Sequence, residues 1–346
     1  MSKISQYIRF RVQDYKLMRQ YYPDSNVITK FVYCYKKWSY QKKYNFAHLE
    51  FFCYHLNEKK NEEVASIYPR KLQAELYRKV NNESLWAITK DKYASYLFLK
   101  EFYKREVCGY NPSPNVYVQP LYDNHDCIAE VLAFLDVHSR FIVKPLADAC
   151  GHGVRIVSKG ITDSYEMFKR FTTEFPGGFV LEELISQCEE MGMYHPSSVN
   201  TIRINVFNSL SDSRGHVDLK FPCFRIGRHN AVVDNAGSGG IIVALDISTG
   251  RMISAADEDG FFFQEHPDTH IPFNVAIPCW DDLLLSARNV SRAIPELKVA
   301  GLDFALDKER GWSLVEINVE PIMLYQIATQ KGIRSYMMDF AKNCGV

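Results

Sequence analysis

"VAGLDFALDKERGWSLVEINVE", residues 299–320, decides the fold. Two apolar runs flank the turn "KERG", the pattern of a β-hairpin. Leu314, Val315, Ile317 and Val319 are good strand formers. Glu316 and Asn318 sit among them, two residues apart, and so share a face. A buried carboxylate beside a buried amide is costly unless something pairs with it. If Asp307 faces Trp312 across the turn, Asp303 lies opposite Glu316, and Asp303, Glu316 and Asn318 converge. Three oxygen donors without His or Cys suit Mg²⁺ or Mn²⁺ rather than zinc. A hydrogen-bonded polar network is the competing reading.

Upstream, from about 198, strands dominate: "SVNTIRINVFNS", "VDLKFPCFRIGR" and "GGIIVALDIS". One amphipathic helix, "CWDDLLLSARNVSRAI", lies among them. The region 201–346 reads as a mainly antiparallel sheet with a helix packed on it. Arg203 and Asn205 share a strand face, Arg225 lies on the next strand, and Asn235 precedes a Gly-rich turn. An inward Arg needs a buried anion; on an outer face it needs none.

Further upstream, "RFIVKPL" is a strand carrying Lys144, "ADACGHG" a small-residue turn with Gly151, His152 and Gly153, and "VRIVSKG" a second strand. "SYEMFKRFTTEF" is an amphipathic helix, and "GGFVLEELI" a strand ending in Glu182, Glu183, Leu184 and Ile185. These make an α+β subdomain over 131–200. Glycines let a backbone approach a phosphate closely, although a lone GxG also suits an ordinary hairpin turn. No GK[ST] follows, so this is not a Walker A loop. Residues 106–130, dense in Gly, Pro and Asn, read as a linking loop. Residues 1–105 read as mostly helical, from three- and four-residue apolar spacing in "EEVASIYPRKLQAELYRKV" and "KDKYASYLFLKEFYKREV".

The 346 residues are too many for one ordinary core. Nine cysteines, an odd number, form no CxxC pair, which fits reduced thiols in a cytoplasmic protein. No signal-peptide core or membrane-length apolar run is present. Lys plus Arg and Asp plus Glu balance at 41 each, but residues 1–110 hold 21 of the basic residues and 11 of the acidic ones. This basic, aromatic-rich third suits an anionic glycan or membrane surface, or is a solvated face that docks on the acidic remainder. No nucleic-acid motif occurs, and no nucleic-acid partner is expected.

Taken in order, these pieces resemble the ATP-grasp superfamily. The D-x12-E-x-N spacing of Asp303, Glu316 and Asn318 is similar to the metal triad of carboxylate–amine ligases. "EELISQ…PSSVNTIRI", "FRIGR…VDNAGSGGIIVALDISTG" and "VAGLDFAL…LVEIN" resemble the sugar-transfer-associated ATP-grasp proteins of polysaccharide biosynthesis, over about 90–330. The resemblance implies an α+β ATP-grasp fold, two α+β subdomains clamping ATP, preceded by a mostly helical N-terminal region. It places Lys92 (in "KDKY") and Lys144 on the phosphates, with the Gly151–His152–Gly153 loop closing over them. Glu182, Glu183, Leu184 and Ile185 would meet the adenine. Arg203, Arg225 and Asn235 would hold the transferring phosphoryl group or the substrate carboxylate, and Asp303, Glu316 and Asn318 would hold Mg²⁺ or Mn²⁺. One departure matters: many such ligases carry Arg two residues before the first metal Asp, where this chain has Gly301. Arg203 and Arg225 are the candidates to replace its charge. The implied activity is ATP-dependent amide formation through an acyl phosphate, joining a small-molecule or glycan carboxylate to an amine, such as a sugar acid to an amino acid. Two other classes fit the same clamp: a kinase acting on a sugar or glycan hydroxyl, and a non-catalytic glycan-binding scaffold, against which the acidic triad argues.

Overall fold

The computed structural model describes residues 14–147, 153–208, 217–229, 231, 234 and 239–346. Two antiparallel sheets form the frame. The smaller has the order β1–β4–β2–β3, with β1 Val107–Tyr110, β2 Arg140–Pro145, β3 Arg155–Ser158 and β4 Phe179–Glu182. Alternation gives it two unlike faces. Cys108, Phe141, Val143, Phe179 and Leu181 bury against the helices Cys127–Val137 and Ser164–Glu174. Ile142, Lys144 and Glu182 fall on the other face. The stretch 106–130, expected as a loop, supplies β1 and the short helix Gln119–Tyr122. Its Gly, Pro and Asn residues cluster at 109–115, and the four-residue strand "VCGY" is too short to show a period.

The larger sheet has the order β11–β10–β5–β6–β7–β8–β9. Its strands are β5 Thr201–Asn208, β6 Val217–Ile226, β7 Ile241–Leu245, β8 Met252–Ala256, β9 Phe262–Phe263, β10 Val299–Asp307 and β11 Gly311–Asn318. Ile202, Ile204, Val206, Ala300, Leu302 and Phe304 pack on Leu283, Ala287 and Val290 of the helix Trp280–Ala293. The intervening residues, among them Arg203, Asn205, Gly301 and Asp303, lie on the opposite face. The short strands β8 and β9, the latter at the sheet edge, are not evident in the sequence pattern.

The hairpin closes one residue tighter than expected. Asp307 pairs with Gly311 and Leu306 with Trp312, yet Asp303 still pairs with Glu316, because a bulge intervenes between Asp303 and Phe304. Val315 is the extra residue. Strict alternation would put Glu316 and Asn318 on the face of Trp312 and Leu314, which is core. The bulge turns them to the other side, a common use of bulges beside functional sites.

The N-terminal helices are part of the core. Phe51, Phe52 and Leu56 pack with Cys223, Ile242, Ala244 and Ile327 of the larger unit. At Gly332 a Cβ would lie 2.2 Å from the carbonyl carbon of Ser66, so only glycine permits this approach. The helix Lys92–Tyr103 starts where Asp91 accepts from the Ala94 N–H, an N-cap. That cap is held by Tyr122 and Asn111, which both donate to Asp91.

Candidate active site

The bulge, β10 and β5 assemble an acidic and basic face around Asp303, which is buried. Arg203 grips it with two bonds, Nε to Oδ1 at 2.7 Å and a terminal nitrogen to Oδ2 at 2.6 Å. Arg225 donates to Oδ2 at 2.7 Å and Asn318 Nδ2 to the same oxygen at 3.1 Å. Burial pushes the Asp303 carboxyl up, but the two guanidinium groups outweigh it and hold it below the usual carboxylate range. Arg225 also meets Asp234, 3.3 Å away, whose other oxygen accepts from Thr201. Burial keeps the Asp234 carboxyl above its ordinary value despite Arg225.

Gly301 leaves room for the Arg203 side chain. A Cβ there would lie 2.8 Å from Pro321 Cβ and 3.3 Å from Arg203 Cδ. The absent side chain leaves the space along which Arg203 reaches Asp303 from the neighbouring strand, where the two residues are cross-strand partners.

The donors Asp303, Glu316 and Asn318 are all oxygen-bearing, and the structure brings them together. Among the described residues no group of three His, Cys, Asp or Glu side chains could hold a metal. The donor set does fit a hard cation. Asp303 Oδ1 accepts a single bond and keeps a lone-pair site. Glu316 is two-fifths exposed, with Lys92 Nζ 3.6 Å away. Asn205 Oδ1, in the adjacent row, is buried with no hydrogen-bond partner. Asn318 would present its oxygen to the cation after a rotation of its amide.

The smaller sheet supplies the other wall. Lys144 Nζ lies 2.8 Å from Glu182, whose second oxygen takes two bonds from Arg105 at 2.7 and 3.1 Å. Burial pushes the Glu182 carboxyl up, but Lys144 and then Arg105 overcome it and hold it down at about 2. Glu182 is thus the counter-ion that fixes Lys144. Arg105 also donates to Leu314 O at 2.6 Å, joining this wall to β11. Neither pairing shows in the sequence, since Arg105 stands at the pattern break without a partner nearby in the chain.

A cavity of about 590 Å³ opens beside this wall, lined by Ile142, Ile156, Leu184, Ile185, Gln187 and Met193 among others. The β4 ladder ends at Glu182, so Leu184 and Ile185 run past it along the cavity. Glu183 turns away to pair with Arg310 in the hairpin turn. Asp307 stitches cavity to hairpin: Oδ2 accepts from Ser186 N at 2.9 Å, and Oδ1 from Glu309 N and Arg310 N at 2.9 and 3.0 Å. Backbone bonds Cys188 N to Leu306 O and Lys308 N to Ser186 O complete the seam. Asp307 was readable only as a strand end. Gly153 adopts φ +72° against Pro145, next to Lys144. Gly151, His152 and Asn235 lie outside the described residues.

A mixed α/β chain with two such sheets around a lysine wall and an acidic hairpin is an ATP-grasp protein. The family model described as "Sugar-transfer associated ATP-grasp" matches residues 71–342, and the chain belongs to that family. The family is an ATP-grasp family, so ATP is the nucleotide of the clamp. The match begins before Lys92 and takes in the helix Arg70–Val80, earlier than the motifs alone indicate. No curated protein sequence matches the chain. Among solved structures, N5-carboxyaminoimidazole ribonucleotide synthetase from Thermotoga maritima is similar at 13% identity and TM-score 0.38, over 72% of this chain and 48% of that one. D-alanyl-alanine synthetase A from Vibrio cholerae matches at 11% identity and TM-score 0.45, over 76% and 67%. D-alanine–D-alanine ligase from Bacillus anthracis matches at 14% identity and TM-score 0.40, over 79% and 74%. The chain spans about half the length of the first of these.

Proposed function

We propose that the protein is an ATP-dependent carboxylate–amine ligase that joins a sugar acid to an amino acid or other amine in surface-polysaccharide synthesis, such as a capsule, and works in the cytoplasm, where ATP is supplied. In this reading Ile142, Ile156, Leu184 and Ile185 form the apolar slot for adenine. Lys144, fixed by Glu182, and Lys92 bind phosphate oxygens. Asp303, Glu316 and Asn318 hold Mg²⁺, which neutralises phosphate charge. Arg203 and Arg225, with Asn235, orient the substrate carboxylate against the γ-phosphoryl group. The carboxylate oxygen attacks phosphorus and ADP leaves; the amine then attacks the acyl carbon, inorganic phosphate departs, and the amine loses a proton. The enzyme contributes positioning and charge neutralisation rather than covalent chemistry.

One observation carries the choice of a carboxylate acceptor. Guanidinium groups grip both oxygens of Asp303 and hold its carboxyl below the usual carboxylate range, so this acid is a poor base toward a hydroxyl. A kinase needs a residue to orient and deprotonate its acceptor, whereas a carboxylate arrives ionised. The two arginines also match a planar anion. The test is a phosphate-release screen of sugar acids against amino acids with Mg-ATP. Release that needs both partners supports the ligase. Turnover of ATP with a hydroxyl sugar and no amine would establish the kinase, and no Mg-ATP-dependent rise in melting temperature would establish the scaffold.

A further inference from the structure

The helix Val27–Tyr44 turns a row of large side chains away from the core. Ile28 is 77% exposed, Phe31 62%, Tyr35 64% and Trp38 41%, with Val27 and Val32 widening the strip. The spacing 28, 31, 35, 38 is one helical stripe. The opposite side of the helix is anchored: Cys34 lies in the core, and Lys37 is buried with Nζ 2.7 Å from Asp14. The helix sequence "VITKFVYCYKKWSYQKKY" has five lysines and no acid. Lys42 and Lys43 close its last turn, and Lys42 Nζ stands 5.6 Å from the Trp38 ring centre.

We propose that this face docks on an anionic lipid membrane. A contiguous apolar strip on a folded surface marks an interaction site. Phe, Tyr and Trp bordered by lysine are the makeup of a helix lying at the headgroup level; Lys30 and Lys37 are buried, and the exposed Lys42 and Lys43 at the end of the strip complement anionic lipid. A second copy is the competing occupant, and it would leave Lys42 and Lys43 without the anionic partner that lipid supplies. Among the described residues no helix is long and apolar enough to cross a membrane, so this contact is peripheral. The inference does not depend on the ligase reading.

The test is co-sedimentation of the full chain with vesicles of phosphatidylcholine, with and without phosphatidylglycerol. Binding should need the anionic lipid and weaken with salt. Phe31→Ser, Tyr35→Ser and Trp38→Ser together should reduce binding about tenfold or more. The exposed pair Lys42→Glu and Lys43→Glu should weaken it as well, at an unchanged melting temperature, which guards against misfolding of the first variant. No binding to anionic vesicles, or binding indifferent to both variants, overturns the proposal. So does a wild-type dimer that becomes monomeric in light scattering when the three aromatic residues are replaced, since the face would then be a self-interface.

Discussion

Gly301→Ala tests whether the space beside β10 exists to admit Arg203. The new Cβ would stand 2.8 Å from Pro321 Cβ, closer than real Cβ contacts, and 3.3 and 3.4 Å from Arg203 Cδ and Nε. Such overpacking costs about 1–3 kcal/mol, which for a chain of 346 residues lowers the melting temperature by roughly 1–4 °C. The larger effect falls on Arg203, which must shift by tenths of an ångström while holding both oxygens of Asp303. Weakening one charge-assisted hydrogen bond costs about 1.5–3 kcal/mol, so turnover should drop roughly 10- to 100-fold. The assay is steady-state phosphate release by wild type, Gly301→Ala, Arg203→Ala and the double variant. If Gly301 acts through Arg203, adding Gly301→Ala to Arg203→Ala costs little further turnover, although the melting temperature still falls. Losses that multiply, or a Gly301→Ala enzyme of full turnover, would refute the reasoning.

Other predictions bear on the two walls. Asp303→Asn should cut turnover by about a thousandfold or more, with folding checked by circular dichroism because two buried guanidiniums lose their anion; retained activity would remove Asp303 from the metal site. Lys144→Ala should weaken nucleotide binding roughly 10- to 100-fold by calorimetry, and an unchanged affinity would exclude its phosphate role. The Glu182 carboxyl sits at about 2 against an ordinary 4.5, so its contribution is full above pH 4.5 and fades as pH falls toward 2. Denaturant titrations should show wild type losing on the order of 3 kcal/mol over that window relative to Glu182→Gln; parallel pH profiles would contradict the pairing.

The elements that build the site were legible where pattern is local. Alternation in 299–320 gave the hairpin and the convergence of Asp303 with Glu316, and the strand "RFIVKPL" gave Lys144. The turn register was off by one, and the prediction survived because the bulge at Val315 restored the pairing. A bulge is set by cross-strand geometry, which a single strand's sequence does not carry. Arg105 and Asp307 were invisible for the same reason: each acts on residues distant in the chain, Arg105 on Glu182 and Leu314, Asp307 on Ser186. Within the basic N-terminal third, the described residues 14–103 read correctly as helical. Its apolar docking on β6 and β7 arises from tertiary contacts with no local signature.

The most direct test of the central claim follows an oxygen atom. A carboxylate substrate found in the phosphate-release screen is labelled with ¹⁸O in its carboxyl group and turned over with Mg-ATP and its amine. Attack of the carboxylate on the γ-phosphoryl group carries one labelled oxygen into the released inorganic phosphate, leaving the other in the amide. Labelled phosphate is the predicted result. Unlabelled phosphate, or a phosphate ester formed on a substrate hydroxyl without the amine, would contradict the account.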